Sequence, residues 1–245
     1  MIDTKLTEYF DRYFYIRRAD SDELRVLAYQ VRYQVYCKEL EFEDKSAFPN
    51  KLEFDQFDNF SDHFLIFHRG EPDEVAGTVR LVRLQHKAHR LPIAVHCLDS
   101  IDRGKVDIEH LHDGHYGELS RLAVTGEYRR RRGEEKMPFV VNSSRADLGS
   151  PNFPYIAVGL YMAAAAWCYI RGTQSVIVMM EPRLARHLSR FGILFEQVGS
   201  VIDYHGRRAP YRINQEVFFR HIKSPLRSLY DHVAAEIGIS VLDFN

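Results

Sequence analysis

Glu118, Ser120 and Arg121 put a carboxylate, a hydroxyl and a guanidinium on one short apolar stretch, Gly117-Glu118-Leu119-Ser120-Arg121-Leu122-Ala123-Val124. A basic, glycine-ended segment, Glu127-Tyr128-Arg129-Arg130-Arg131-Arg132-Gly133, comes directly after it. The stretch reads as a strand, and strand side chains alternate. Glu118, Ser120 and Leu122 should therefore share one face, with Leu119, Arg121 and Ala123 on the other. Glu and Arg are costly on a half-buried strand unless they are paired or used. Two readings fit: a structural ion pair beside a solvated basic turn, or a reactive strand beside a grip for a phosphate-bearing carrier.

The elements that must position this strand follow from spacing. Leu6, Tyr9, Phe10, Tyr13 and Phe14 recur at helical intervals and predict a helix over 5–19. Asp20-Ser21-Asp22 is a cap-like start, and Leu24, Leu27, Ala28, Val31 and Val35 carry a second helix to about Glu39. An aromatic and acidic loop runs over 42–62. Residues 63–68 and 74–84 read as a hairpin around Arg69-Gly70-Glu71-Pro72-Asp73. Residues 85–115 are irregular and His-rich. The reactive strand spans 118–124, and 133–154 reads as a loop or insertion. A helix follows over 156–171, a strand over 175–180, a helix over 182–191, further strands over 195–213 broken at His205-Gly206, and helices over 214–222 and 225–237. This order predicts an α/β sheet flanked by helices in one domain over 1–245, with a C-terminal helical extension over about 214–245.

Bulk properties narrow the classes. The chain has 245 residues and a net charge of -1, with 45% hydrophobic and 27% charged residues, which is ordinary globular composition. Non-specific nucleic-acid binding calls for a far more basic chain. Cys37, Cys97 and Cys168 are widely separated and read as reduced thiols of a cytoplasmic protein. The polar first residues show no signal peptide. The most apolar run, Ile156–Ile170, is about 15 residues against the roughly 20 that a membrane span needs, and reads as a buried helix. His110 and His112 invite a metal, but no partner is spaced for one, and no metal is expected.

Four segments occur together in order: Arg32-Tyr33-Gln34-Val35-Tyr36, Glu53-Phe54-Asp55-Gln56-Phe57-Asp58, Gly77-Thr78-Val79-Arg80-Leu81 and Glu118-Leu119-Ser120-Arg121. Two later segments, Met180-Glu181-Pro182-Arg183-Leu184-Ala185-Arg186 and Tyr204-His205-Gly206-Arg207-Arg208-Ala209-Pro210-Tyr211, join them. Together they resemble the acyl-homoserine-lactone (autoinducer) synthases of the GNAT N-acyltransferase superfamily. They resemble more closely the bacterial PEP-CTERM/exosortase system-associated acyltransferases, relatives of N-acyl amino acid synthases.

The resemblance implies a GNAT-like fold and transfer of a fatty acyl group to the amine of an amino acid or similar small molecule. Acyl carrier protein or acyl-CoA would be the co-substrate, with no bound cofactor. It implies Glu118, Ser120 and Arg121 as catalytic, and Arg32, Tyr36, Asp55, Asp58 and Arg80 as substrate-binding. Asp55 and Asp58 equally suit anchoring of their own loop. Leu122, Val124, Arg129, Arg130, Arg131, Arg132 and Gly133 would hold the donor, the arginines steering an acidic carrier protein, or they are a solvated turn. Residues 134–154, with Pro138, Pro151 and Pro154, stand where a GNAT helix would begin and could shape an acyl pocket. Ile156, Val158, Leu160, Met162 and Ala163–Ala166 could line an acyl-chain tunnel or be plain core. Two other readings are an autoinducer synthase using S-adenosylmethionine and a non-catalytic binding protein for acyl carrier or lipid.

Overall fold

The computed structural model describes residues 2–86, 88–107, 111, 115–129 and 154–239. In chain order its elements are α1 (Ile2–Tyr13), β1 (Phe14–Arg18), α2 (Asp22–Arg32), β2 (Ser61–His68), β3 (Glu74–Arg83), α3 (Pro92–His96), β4 (Tyr116–Val124), α4 (Gly126–Arg129), α5 (Tyr155–Ile170), β5 (Ser175–Met180), α6 (Pro182–Ser189), β6 (Glu196–Gln197), β7 (Ile202–Asp203), β8 (Arg207–Asn214), α7 (Gln215–His221) and α8 (Ser224–Glu236). The strands form a mixed sheet in the order β1-β2-β3-β4-β5-β8-β6, with β7 also on β8. The pair β4/β5 is parallel and the other pairs are antiparallel. The expected mixed α/β fold is the observed one.

α5 is the crossover between the two parallel strands, as such a connection requires. It is apolar all round and buried along most of its length, so it packs as a core helix. Among the described residues, no helix is long and apolar enough to cross a membrane. The last helix, α8, inserts Leu226, Leu229, Tyr230, Val233 and Ala234 into the same core as α1 and α5, so it is part of the main body.

The helix expected over 5–19 ends at Tyr13, and Phe14–Arg18 is an edge strand on β2. Phe14 and Ile16 have the two-residue period of a strand, which overlaps the helical spacing of the residues before them. The second helix starts where expected: the Ser21 side chain accepts the Leu24 N–H at 3.4 Å. It widens into a π-helical segment over Tyr33–Glu39, an irregularity common near functional sites.

Two distortions of β4 shape everything above it. On β3, Thr78 faces Ala123 and Arg80 faces Ser120, so one extra residue is inserted on β4. Arg121 sits at that bulge with φ 51°. Beyond it the alternation is reset. Leu122 points with Leu119 and Val124 into the core under α5, and Arg121 turns up beside the partners of Arg80. The expectation that Leu122 shares a face with Glu118, and Arg121 with Leu119, is thus reversed. In addition, β4 pairs with β5 only from Tyr116↔Ser175 to Leu119↔Val178. Beyond those pairs the two strands part, leaving the β5 side of Ser120–Val124 without a strand partner among the described residues.

Candidate active site

The gap where β4 and β5 part opens into a cleft. Its walls include Glu118, Ser120, Arg121 and Leu122 of β4, Arg80 of β3, Asp55 and Glu43 of the acidic loop, and Met179 and Met180 of β5. Tyr36, Tyr161, Tyr204, His205 and Arg208 complete it.

Glu118 is 3% exposed and lies at the floor. Its Oε2 accepts the Ile93 N–H at 2.8 Å, at the start of α3, where Pro92 has no N–H of its own to offer. Oε1 has no hydrogen bond among the described residues. Burial pushes this carboxyl up to about 8, against the opposing pull of the Ile93 amide and of Arg80 and Arg121. A carboxyl so placed exchanges a proton near neutral pH. The neighbouring Cys97 is driven by burial up to about 11, so it stays a thiol and is no nucleophile at neutral pH.

The expected substrate arginines are occupied. Arg32 is 0% exposed. Its Nε donates to Glu53, and its Nη1 and Nη2 grip both oxygens of Asp58 at 2.7 and 3.1 Å. Arg80 gives Nη1 to Asp55 at 2.6 Å and to Asp58 at 3.0 Å, and Nε to the Ser120 hydroxyl at 3.0 Å. Arg121 gives Nε to Glu53 at 3.2 Å and Nη2 to Glu43 at 3.1 Å, with Asp55 at 3.5 Å. Three guanidinium groups thus meet four carboxylates. Burial alone would raise the Glu53 and Asp58 carboxyls, but the arginines overcome it and hold both below the usual range. Next to Asp58, at 3.4 Å, His63 is kept neutral because burial drives its imidazole down to about 3.

Asp55 and Asp58 also anchor their own loop. The Asp55 side chain accepts the Phe57 N–H at 2.9 Å, and Asp58 accepts the Asp55 N–H at 2.7 Å, a capping box on the short helical turn Gln56–Phe60. Tyr36, expected to touch substrate, lends its hydroxyl to the Leu122 carbonyl at 2.8 Å and so props the bulge.

Arg129, expected to hold the donor, is buried and paired with Glu39 at the end of the π-helical segment. Arg130, Arg131, Arg132 and Gly133, the insertion at 134–153, and His110 and His112 lie outside the described residues. Val124 is buried in the core under α5. Among the described residues the side chains spaced for a metal are Asp11, His232 and Glu236. They lie on α1 and α8 outside the cleft, their carboxylates already used by Arg69 and the Ile16 N–H.

Behind the cleft lies a small, partly open apolar pocket. Met162, Ala164, Ala165 and Cys168 of α5, Val176 of β5, and Ile193, Phe195, Ile213 and Phe218 line it, and it shares Leu119 and Tyr161 with the cleft. Of the expected tunnel residues, Ile156, Val158 and Leu160 are core and do not line it. Glu43, Glu53, Tyr204 and Arg208 were not singled out as site residues from sequence. A spacing argument does not show which acidic loop residue reaches which arginine.

Comparison with known proteins agrees with this architecture. Residues 31–138 match the acetyltransferase (GNAT) domain family. No curated protein sequence matches the chain. Among solved structures, TofI, in a ternary complex with an inhibitor and MTA, is 19% identical with a TM-score of 0.56, covering 87% of this chain and 98% of its own. BjaI, a CoA-dependent acyl-homoserine lactone synthase bound to SAM and isopentyl-CoA, is 15% identical with a TM-score of 0.56, covering 90% and 89%. FeeM, an N-acyl amino acid synthase from uncultured soil microbes, is 14% identical with a TM-score of 0.55, covering 85% and 94%. The shared fold is that of GNAT acyltransferases.

Arg32→Met should lower unfolding free energy by about 3 kcal/mol, because Glu53 and Asp58 stay buried with one counter-ion each, Arg121 and Arg80, in place of two. Urea unfolding reads this, and a loss under about 1 kcal/mol would mean water screens the cluster. Glu118→Gln acts oppositely. The folded pKa of Glu118 lies above its unfolded value, so its burial is harmless below the ordinary carboxylate range and grows costly as pH rises toward 8. The variant should match the native protein near pH 4 and exceed it by on the order of a few kcal/mol above pH 8. Parallel stability curves across that range would refute the raised pKa.

Proposed function

We propose that this N-acyltransferase moves a fatty acyl group from a pantetheine thioester to the amine of an amino acid or similar small molecule, giving an N-acyl amino acid. The observation that carries the reading is the pairing of Glu118 with the split between β4 and β5, backed by an apolar cavity. A thioester lying in the split puts its acyl chain toward Leu119 and Tyr161 and its carbonyl above Glu118. The acceptor nitrogen attacks the carbonyl carbon, and ionised Glu118 takes the proton that the nitrogen sheds. The tetrahedral intermediate collapses, the C–S bond breaks, and Glu118 returns the proton to the departing sulfur. One amide and one thiol result. Unpaired backbone N–H groups at the split would stabilise the oxyanion, a contribution of a few kcal/mol where such donors are preorganised. Ser120 keeps Arg80 in place and has its own hydroxyl proton left to give.

Acyl carrier protein is the donor we favour, on the basic block Arg130–Arg132 and its attraction for an acidic partner. The reaction then takes place in the bacterial cytoplasm, in keeping with the reduced cysteines. The motif resemblance supports a role in a PEP-CTERM/exosortase system. The other enzymatic reading, an autoinducer synthase taking S-adenosylmethionine, is supported by the fold shared with BjaI.

Mass spectrometry after incubation with acyl-loaded carrier protein, acyl-CoA, the twenty amino acids and S-adenosylmethionine tests the proposal. An N-acyl amino acid is the expected product, and a lactone would favour the second reading. Absence of any new amide from folded protein would remove both and favour a binding protein. Glu118→Gln should cut turnover at least roughly 100-fold and abolish the rise of rate with pH that ends near 8. Ala165→Phe, which fills the apolar cavity, should shift the preferred donor to shorter chains, read by competition between C6 and C14 thioesters. Unaltered preference would take the chain out of that cavity.

A further inference from the structure

Each arginine expected to bind a substrate anion, Arg32, Arg80 and Arg121, already has protein carboxylates as counter-ions. Arg208 differs. It lines the same cleft, is half-buried, and has no hydrogen bond or ion pair among the described residues. Its place is fixed by the backbone: Ile202↔Arg208 and Asp203↔Arg207 pair β7 with β8. The turn between them holds left-handed φ at His205 (53°) and Gly206 (98°). The Asp203 side chain accepts the Gly206 N–H at 3.2 Å. The His205 ring stacks on Phe42 at 4.8 Å, tying this hairpin to the loop on the far side of the cleft. Tyr36, Tyr161 and Cys97 stand close enough to feel the Arg208 charge.

A half-buried guanidinium without a counter-ion is a standing cost, which an anionic ligand removes. The opposite edge of the cleft has the reverse sign. Glu43 and Asp55 face it, and the cluster they belong to has four carboxylates against three guanidinium groups. A small molecule with an amine at one end and an anion at the other is therefore oriented, amine toward Glu118 and Asp55, anion toward Arg208. The planar fork of Arg suits a carboxylate best, in bidentate contact.

We infer that Arg208 anchors the carboxylate of the acceptor, so that the acceptor class is a free α-amino acid and the product leaves with its carboxylate still held. The inference rests on the acyl-transfer reading for the word acceptor, but its test does not need turnover. Calorimetry with N-dodecanoyl-alanine and its primary amide compares a product-like carboxylate with its neutral twin. The native protein should bind the carboxylate at least about tenfold tighter. Arg208→Gln should abolish that preference while leaving amide affinity within about twofold, and Arg208→Lys should restore part of it. Equal or absent binding of both probes by the native protein overturns the inference, as does a Gln variant that weakens both equally. Should acyl transfer fail while the carboxylate preference stands, the anchor survives and the proposed reaction falls. Should transfer proceed equally well to carboxylate-free amines, the reaction survives and the anchor falls.

Discussion

The structure depends on the grip of Arg32 on Glu53 and Asp58. A buried guanidinium is tolerable only with full compensation, and removal of one partner exposes the whole desolvation penalty of the other. Helix α2 supplies the cation, and the acidic loop supplies both anions, so the loop is bound to the helix wherever the helix goes. Asp58 then passes the constraint to Arg80 on β3, and Arg80 passes it to Asp55 and Ser120. The edge of the cleft is the outer rim of this chain of charges. It inherits its geometry from contacts made within the protein.

Against this rigid rim, β4 is irregular in two useful ways. The bulge at Arg121 brings a second cation onto the rim while returning Leu122 to the core. The parting from β5 leaves backbone edge and space where a continuous sheet would have neither. Glu118 sits just before the strands part, where burial is nearly complete and, among the described residues, only one hydrogen bond reaches its side chain. Glu53 and Asp58 are held ionised by close arginines, whereas at Glu118 burial dominates. Carboxyls in one cleft are thereby divided into structural anions and a proton-exchanging acid.

Much of this was legible in the residues. Ser21 announced α2, the apolar run announced α5, and the order of elements gave a mixed α/β sheet. Glu118 stood out because a carboxylate on an apolar strand demands an explanation, and the cleft supplies one. The faces of β4 were misassigned, because alternation holds only for a regular strand and no residue near Arg121 signals a bulge. Arg32 and Tyr36 were noticed from their types, which predict a strong interaction without saying with what; the structure pairs Arg32 with Glu53 and Asp58, and Tyr36 with the Leu122 carbonyl. Asp55 and Asp58 proved to anchor their loop, as short acidic side chains at turns do. Arg208 stood within a segment that carries the resemblance, but nothing there marked it as a site residue. An arginine is informative only when its surroundings show that it has been left without an anion, and surroundings are a property of the fold.

The hydrogen bond from Ile93 to Glu118 joins the acid at the cleft floor to the segment that covers it. An amide donates more strongly to a carboxylate than to a neutral acid. The segment over 91–101 is thus drawn tighter when Glu118 is ionised and eased when it holds a proton. The charge state of one buried carboxyl and the hold on the segment beside it are therefore a single coupled quantity: whatever adds or removes that proton also weakens or strengthens a hydrogen bond in the wall of the cleft.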